Sequence, residues 1–182
     1  ASVGFGGSCF KKDILNLVYL SKYYGLNEVA DYWHSVVKIN EYQKNRFSRK
    51  IIKELNSSGD NSISLLGWSF KKDTNDSRES ASIDIAHSLY NAGVHIIIYD
   101  PMVSNERIFD DLYIRGVNIN SKNVQVVNSL PNALKLSNNL AILTEWNEFK
   151  DYKWGDNFKI FDGRNILSLA QCYYSIGRSY EY

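Results

Sequence analysis

At 182 residues and 44% hydrophobic composition, the chain is long enough for one large domain, or for a compact domain with a helical appendage. Lys+Arg 21 against Asp+Glu 20 leaves a formal charge of +1, which argues against a nucleic-acid or anionic-membrane footprint. Two cysteines make no disulfide framework and are expected reduced in a cytoplasmic setting, and the apolar runs are broken too often by Lys, Asp and Asn for a membrane-spanning helix or a signal peptide.

The first stretch, Gly4-Phe5-Gly6-Gly7-Ser8-Cys9-Phe10-Lys11-Lys12-Asp13, reads as a glycine-rich loop feeding a helix. Cys9 is expected on the first helical turn, where unpaired N–H groups, the helix dipole, Lys11 and Lys12 all favour a negative sulfur. Two readings are open: a nucleophile, or a small buried hydrophobe, as cysteines often are. Ile14, Leu15, Leu17, Val18 and Leu20 give the helix its apolar face, with Gly25 as C-cap.

Asn27 is placed to cap the next helix, in which Val29, Trp33, Val36, Val37, Phe47, Ile51, Ile52 and Leu55 recur at helical spacings and no Pro or Gly intervenes before Gly59. The pattern predicts one helix of about 30 residues, roughly 45 Å long. Its apolar positions exceed what one flank of a small domain covers, which predicts a homodimer with Trp33 near the contact. Lys44, Arg46, Arg49, Lys50 and Lys53 read as a solvated helix face rather than a binding patch.

Beyond the polar breaker 56–61 the pattern changes. Short apolar runs at 63–66, 95–99, 124–127, 140–143 and 159–161 read as strands buried on both faces, alternating with helices at 82–91, 105–112 and 130–136, and a last strand is expected near 172–176 with Cys172 in the core. The fold class is therefore α/β: a helical segment with a long connecting helix (1–60), then a doubly wound, Rossmann-like parallel sheet domain (61–182). The first βα connection has no GxGxxG and offers Phe70, Lys71, Lys72 and Arg78 where such sheets bind ligands. The competing reading pairs Lys72, Asp73, Asp76 and Arg78 with one another at the surface. Arg164, after a Gly163 expected to turn the chain sharply, points to the same sheet edge. His34, His87 and His95 stand singly, with no metal-ligand spacing.

The run GFGGSCFKKD is similar to the catalytic-cysteine segment of the UDP-glucose/GDP-mannose dehydrogenase family. Further matches follow in order: Gly67-Trp68-Ser69-Phe70-Lys71-Lys72-Asp73-Thr74, Asp76-Ser77-Arg78-Glu79-Ser80, Tyr99-Asp100-Pro101, Thr144-Glu145-Trp146 and Phe161-Asp162-Gly163-Arg164. Cys9-Phe10 and the TEW motif look more like the UDP-glucose branch than its relatives acting on UDP-N-acetyl sugars or GDP-mannose. The resemblance implies oxidation of UDP-glucose to UDP-glucuronate with two NAD in succession, through a thiohemiacetal and a thioester on Cys9, with Asp13 orienting the hydrolytic water. It implies cofactor contacts from Cys9, Lys12 and Arg78, and substrate contacts from Ser2, Val3, Gly4, Phe5, Gly6, Phe70, Lys71 and Arg164. A long helix linking two nucleotide-binding domains and building a dimer is implied as well.

Departures from the family pattern are few. Asn75 replaces a glycine, a change eased if the position is left-handed, and Trp68 and Ser69 are expected to alter a wall on the uracil side. The upstream NAD domain has no counterpart in this sequence, so the chain is expected to be a C-terminal portion, inactive by itself. The alternatives are a non-catalytic nucleotide-sugar binding or dimerisation module, or a dehydrogenase for a related nucleotide sugar.

Overall fold

The computed structural model describes residues 2–178; Ala1 and 179–182, at the outer ends of the two expected domains, lie outside the described residues. Two helices come first: α1 (Phe10–Tyr23), then α2 (Asn27–Ser58), 32 residues long and about 48 Å at the α-helical rise. They pack along each other. Gly25 lies one position past the C-cap, Tyr24, with φ 74°, and Gly59 ends α2 in the left-handed region with its N–H on Leu55 O. Both glycines do what the αL stop requires. Asn27 does not cap α2: it is the first helical residue, Leu26 holds the N-cap, and no side chain bonds the free N–H groups there.

The sheet contains β1 (Ser62–Leu66), β2 (His95–Tyr99), β3 (Val124–Val126), β4 (Asn139–Ile142), β5 (Lys159–Asp162) and β6 (Tyr174–Ser175). All five pairings are parallel, in the order β3-β2-β1-β4-β5-β6. That is the doubly wound Rossmann-like arrangement, with its switch point between β1 and β4. Runs such as Ile96-Ile97-Ile98, buried on both faces, belong to strands that helices cover from both sides. The crossover helices α3 (Ala81–Asn91), α4 (Asn105–Ile114) and α5 (Leu130–Leu136) each begin at a serine, Ser80, Ser104 or Ser129, whose side chain accepts a first-turn N–H. A short α6 (Asn147–Asp151) and a single 3₁₀ turn (Leu169–Gln171), too brief to show a period, escaped the pattern reading.

One core, built from Ile63, Leu65, Ile96 and Ile98 with Ile85 and Leu89 of α3, takes in Phe47, Ile51 and Leu55 of α2. The other lies under α5 and α6. The count of apolar positions on α2 that its own domain leaves uncovered is corrected for Phe47, Ile51 and Leu55, which the sheet domain covers; Trp33 is half-buried. The exposed apolar residues at its other end include Val29, Tyr32, Ile39 and Tyr42, and α1, packed along α2, exposes Leu15, Tyr19, Leu20 and Tyr23.

Lys44 is also corrected. Only 2% exposed, it lies in the groove between α2 and α3 with Nζ 2.7 Å from Asp84 and 3.0 Å from Glu41, and Arg115 holds the other oxygen of Asp84 at 2.7 Å. Burial pulls its pKa down, but the hydrogen bonds and charges of Asp84 and Glu41 outweigh burial and leave it raised. Cys172 flanks the second core half-buried, its thiol near Ser168 O at 3.3 Å, rather than sitting inside it.

Candidate functional site

The loop ahead of Cys9 lies across the carboxyl ends of the central strands, where an open α/β sheet places its ligands. Three sets of contacts hold it. At β5, Val3 N–H donates to Gly163 O at 3.0 Å, and Arg164 donates from Nη1 to Ser2 Oγ, also at 3.0 Å. At the β1 connection, Gly7 N–H donates to Arg78 O at 3.0 Å and Lys11 pairs with Glu79 at 2.8 Å. At α2, Asn40 meets the backbone N–H and C=O of Phe5.

The glycines answer to these approaches. A Cβ on Gly6 would stand 2.5 Å from Glu79 O, and one on Gly7 would stand 3.0 Å from the Phe70 ring. Gly163 serves the same end and not the turn expected of it. Its φ is outside the left-handed region, and a Cβ there would meet Val3 Cγ1 at 2.5 Å and Ile142 O at 2.8 Å.

Residues far apart in sequence therefore converge. Gly6 and Gly7 run beside Phe70, whose ring carries Lys71 Nζ at 5.6 Å from its centroid, Gly4 and Phe5 lie against α2, and Arg164, paired with Glu145, closes the β5 side at Ser2. The Val3 side chain turns into the core, so only its backbone faces the loop's surroundings. Cys9 is exposed, which removes the buried-hydrophobe reading. It occupies the N-cap of α1 rather than the first turn, its carbonyl taking Asp13 N–H at 2.8 Å and its sulfur lying 3.8 Å from Ser8 Oγ. Lys12 and Asp13 follow on the exposed face, and among the described residues neither has an ion-pair partner. A cavity of about 730 Å³ opens between this loop and the α3–α4 side, bordered by Ser8, Lys11, Glu41, Arg78 and Arg107. No group of three His, Cys, Asp or Glu among the described residues is placed to hold a metal ion.

The surface-pairing reading holds for one pair. Arg78 makes a two-point contact with Asp76, Nε at 2.9 Å and Nη2 at 2.7 Å, and this bond, against the opposing effect of burial, keeps the Asp76 carboxyl below its ordinary range. Asn75 does not use the left-handed region; Asp73, two residues earlier, does so with φ 61°. Trp68 is no pocket wall. It is fully buried, and its indole donates to Asp111 at 3.0 Å, a carboxylate that Ser77 and Arg107 also reach.

Sequence reading passed over Asp100 and Asp162 as structural keystones, although both lie in quoted motifs. Asp100 accepts from the backbone of Trp68, Ser69, Met102 and Val103 and from the Trp146 indole, tying the loops after β1, β2 and β4 together. Asp162 takes Arg164 and Leu167 N–H at 3.0 and 2.8 Å, which aims the Arg164 segment. A single acid at the end of each of two predicted strands was the available signal.

Comparison with known proteins agrees with this arrangement. Residues 64–169 match the UDP binding domain of the UDP-glucose/GDP-mannose dehydrogenase family, and residues 1–42 match its central domain. The chain is 46% identical over 179 residues to a UDP-glucose 6-dehydrogenase of Drosophila melanogaster, covering 92% of this chain and 38% of that protein. It is 43% identical over 204 residues to UDP-glucose 6-dehydrogenase 4 of Arabidopsis thaliana, covering 98% of this chain and 42% of that one. It thus spans about two fifths of the length of these curated relatives. A UDP-glucose dehydrogenase from Pyrobaculum islandicum superposes with a TM-score of 0.75 at 25% identity, over 96% of this chain and 38% of that one. A GDP-mannose dehydrogenase from Pseudomonas aeruginosa gives 0.76 at 24% identity, over 96% of this chain and 40% of that one. Since one family domain alone accounts for more than half the chain, and the fold and the ordered motifs agree with it, the chain belongs to the UDP-glucose/GDP-mannose dehydrogenase family.

Proposed function

We propose that this chain is the substrate-binding and cysteine-bearing part of an NAD-dependent UDP-glucose 6-dehydrogenase, with residues 1–60 and 61–182 as its two functional units. The observation that carries the reading is the docking of the Cys9 loop onto the β1 connection through Gly7 N–H to Arg78 O and Lys11 to Glu79, which brings a thiol to the ligand edge of a UDP-binding-type sheet. Ser2 to Gly6 line the UDP-sugar with their backbone, Phe70 packs against it, and Lys71 and Arg164 supply cations to its oxygens.

The Cys9 thiolate adds to the C6 aldehyde formed by a first oxidation, giving a thiohemiacetal. Loss of hydride from that carbon leaves a thioester, and water cleaves it to the carboxylate and frees the thiol. Asp13, exposed one helical turn beyond Cys9, holds or deprotonates that water. NAD, when bound, supplies the hydride acceptor for both oxidations. The donors present fit one end of that cofactor: Lys12 and Arg78 are exposed cations flanking Cys9, suited to amide or phosphate oxygens. They do not form a cradle for its pyrophosphate, because Gly67 is the only glycine between β1 and Ser80. The chain alone is therefore inactive.

The exposed apolar residues of α1 and of the N-terminal end of α2 form a homodimer contact. Tyr32 and Ile39, 64% and 63% exposed, would each gain about 1–2 kcal/mol on full burial.

Calorimetry of the purified chain with UDP-glucose and with NAD tests the assignment. Measurable but weak binding of UDP-glucose and scarcely any of NAD is the expected result. Tight NAD binding without a response to UDP-glucose would reverse the roles assigned to the domains.

A further inference from the structure

The loop that leads to Cys9 is anchored from below by a residue with no assigned role. Asn40 lies mid-way along α2, 5% exposed, and its carboxamide pairs with both the backbone N–H and the backbone C=O of Phe5. Phe5 N–H donates to Oδ1 at 2.8 Å, and Nδ2 donates to Phe5 O at 3.1 Å. The reverse placement of oxygen and nitrogen would set donor against donor and acceptor against acceptor, so the pairing itself fixes the amide's orientation.

Gln43, one turn on, donates to Ser2 O at 3.3 Å. Between these contacts Gly4 adopts φ 142° and presses so close that a Cβ would stand 2.7 Å from Asn40 Oδ1 and 3.2 Å from Lys44 Cγ. The two bonds engage the Gly4–Phe5 peptide through its N–H and the Phe5–Gly6 peptide through its C=O, so together they hold both planes and with them the backbone angles of Phe5. A single hydrogen bond would hold one plane and leave the other free to rotate.

We infer that Asn40 is a positioning residue for the nucleotide-sugar site. By holding the two peptide planes that flank Phe5 it presets the direction of the Gly4–Gly7 backbone, so that the loop is ordered before the UDP-sugar arrives and binding does not have to order it. The inference rests on the proposed function, in which this loop lines the UDP-sugar. Asn40 acts through Phe5 and touches no reacting atom.

Two variants separate this role from simple support of the fold. Asn40→Asp keeps the shape and the acceptor but replaces the Nδ2 donor with an oxygen facing Phe5 O, acceptor against acceptor in a buried place. Asn40→Ala removes both bonds. UDP-glucose affinity is measured by calorimetry on the whole chain, and backbone amide exchange is followed in Asn40→Ala. Both variants are expected to bind UDP-glucose roughly tenfold or more weakly, and in Asn40→Ala the Phe5 amide is expected to exchange faster while the amides of α2 and the sheet keep their protection. A purely structural role would lower the melting temperature and leave the affinity of the folded protein unchanged. If the unaltered chain binds UDP-glucose and both variants bind it within about twofold of that value, the positioning role is overturned while the proposed function stands. If the unaltered chain does not bind UDP-glucose, the proposed function falls and this inference falls with it.

Discussion

The buried ion group around Lys44 gives a prediction whose two halves run in opposite directions to a simple count of salt bridges. Lys44 is 2% exposed, whereas its partners Asp84 and Glu41 keep 23% and 41% of their side-chain surface. Lys44→Met removes the one charge that is fully out of water. It leaves Asp84 paired with Arg115 and Glu41 in solvent, and it keeps most of the apolar stem beside Gly4. The expected cost is within about 1 kcal/mol, because replacing a buried charge by an apolar side chain of similar size often comes out near neutral.

Asp84→Asn instead strands a desolvated ammonium with only the exposed Glu41, a loss of about 3–5 kcal/mol. For a chain of this size that corresponds to roughly 6–20 °C in melting temperature. The double variant recovers most of the loss, since the stranded charge is gone. Thermal and urea unfolding followed by circular dichroism measure all four proteins. The unaltered chain carries a pH signature too. The folded pKa of Lys44 is raised, so its contribution is complete below the unfolded lysine value of about 10.4 and fades as pH climbs through the folded value, a decline that Lys44→Met abolishes. If Asp84→Asn proves no more damaging than Lys44→Met, the account of an asymmetrically buried charge is wrong.

Two further outcomes are expected. Gly163→Ala should destabilise by about 1–3 kcal/mol and loosen the Val3 contact, because its Cβ would overlap Val3 Cγ1 and Ile142 O; a stability equal to that of the unaltered chain in urea titration would show that the strap yields at no cost. Ile39→Glu, on the exposed stretch of α2, should shift sedimentation from dimer to monomer with helicity intact; a chain that already sediments as a monomer at micromolar concentration would dismiss the proposed contact.

The architecture was legible because it is encoded in period and punctuation. Short apolar runs such as Ile96-Ile97-Ile98, set between helical stretches, read as strands buried on both faces, and α2 runs unbroken until Gly59 because nothing before it interrupts the helical spacing. The candidate site was legible as a set of residue types, since cysteine, glycines and cations clustered in separate stretches narrow the chemistry. How those stretches meet was a matter for tertiary structure. Lys44 sits among Arg46, Arg49 and Lys50 and reads as solvated, yet α3 places Asp84 opposite it and the groove closes over the pair. Gly163 reads as a turn and proves to be a gap left for Val3, 160 residues earlier in the chain. Asn40 carries no signal in sequence, because a polar residue in a helix looks the same whether it faces water or a peptide 35 residues away. Periodicity records which side of an element is apolar. It does not record which group the fold brings against a polar residue, and that pairing decides whether a charge or an amide serves the surface or the site.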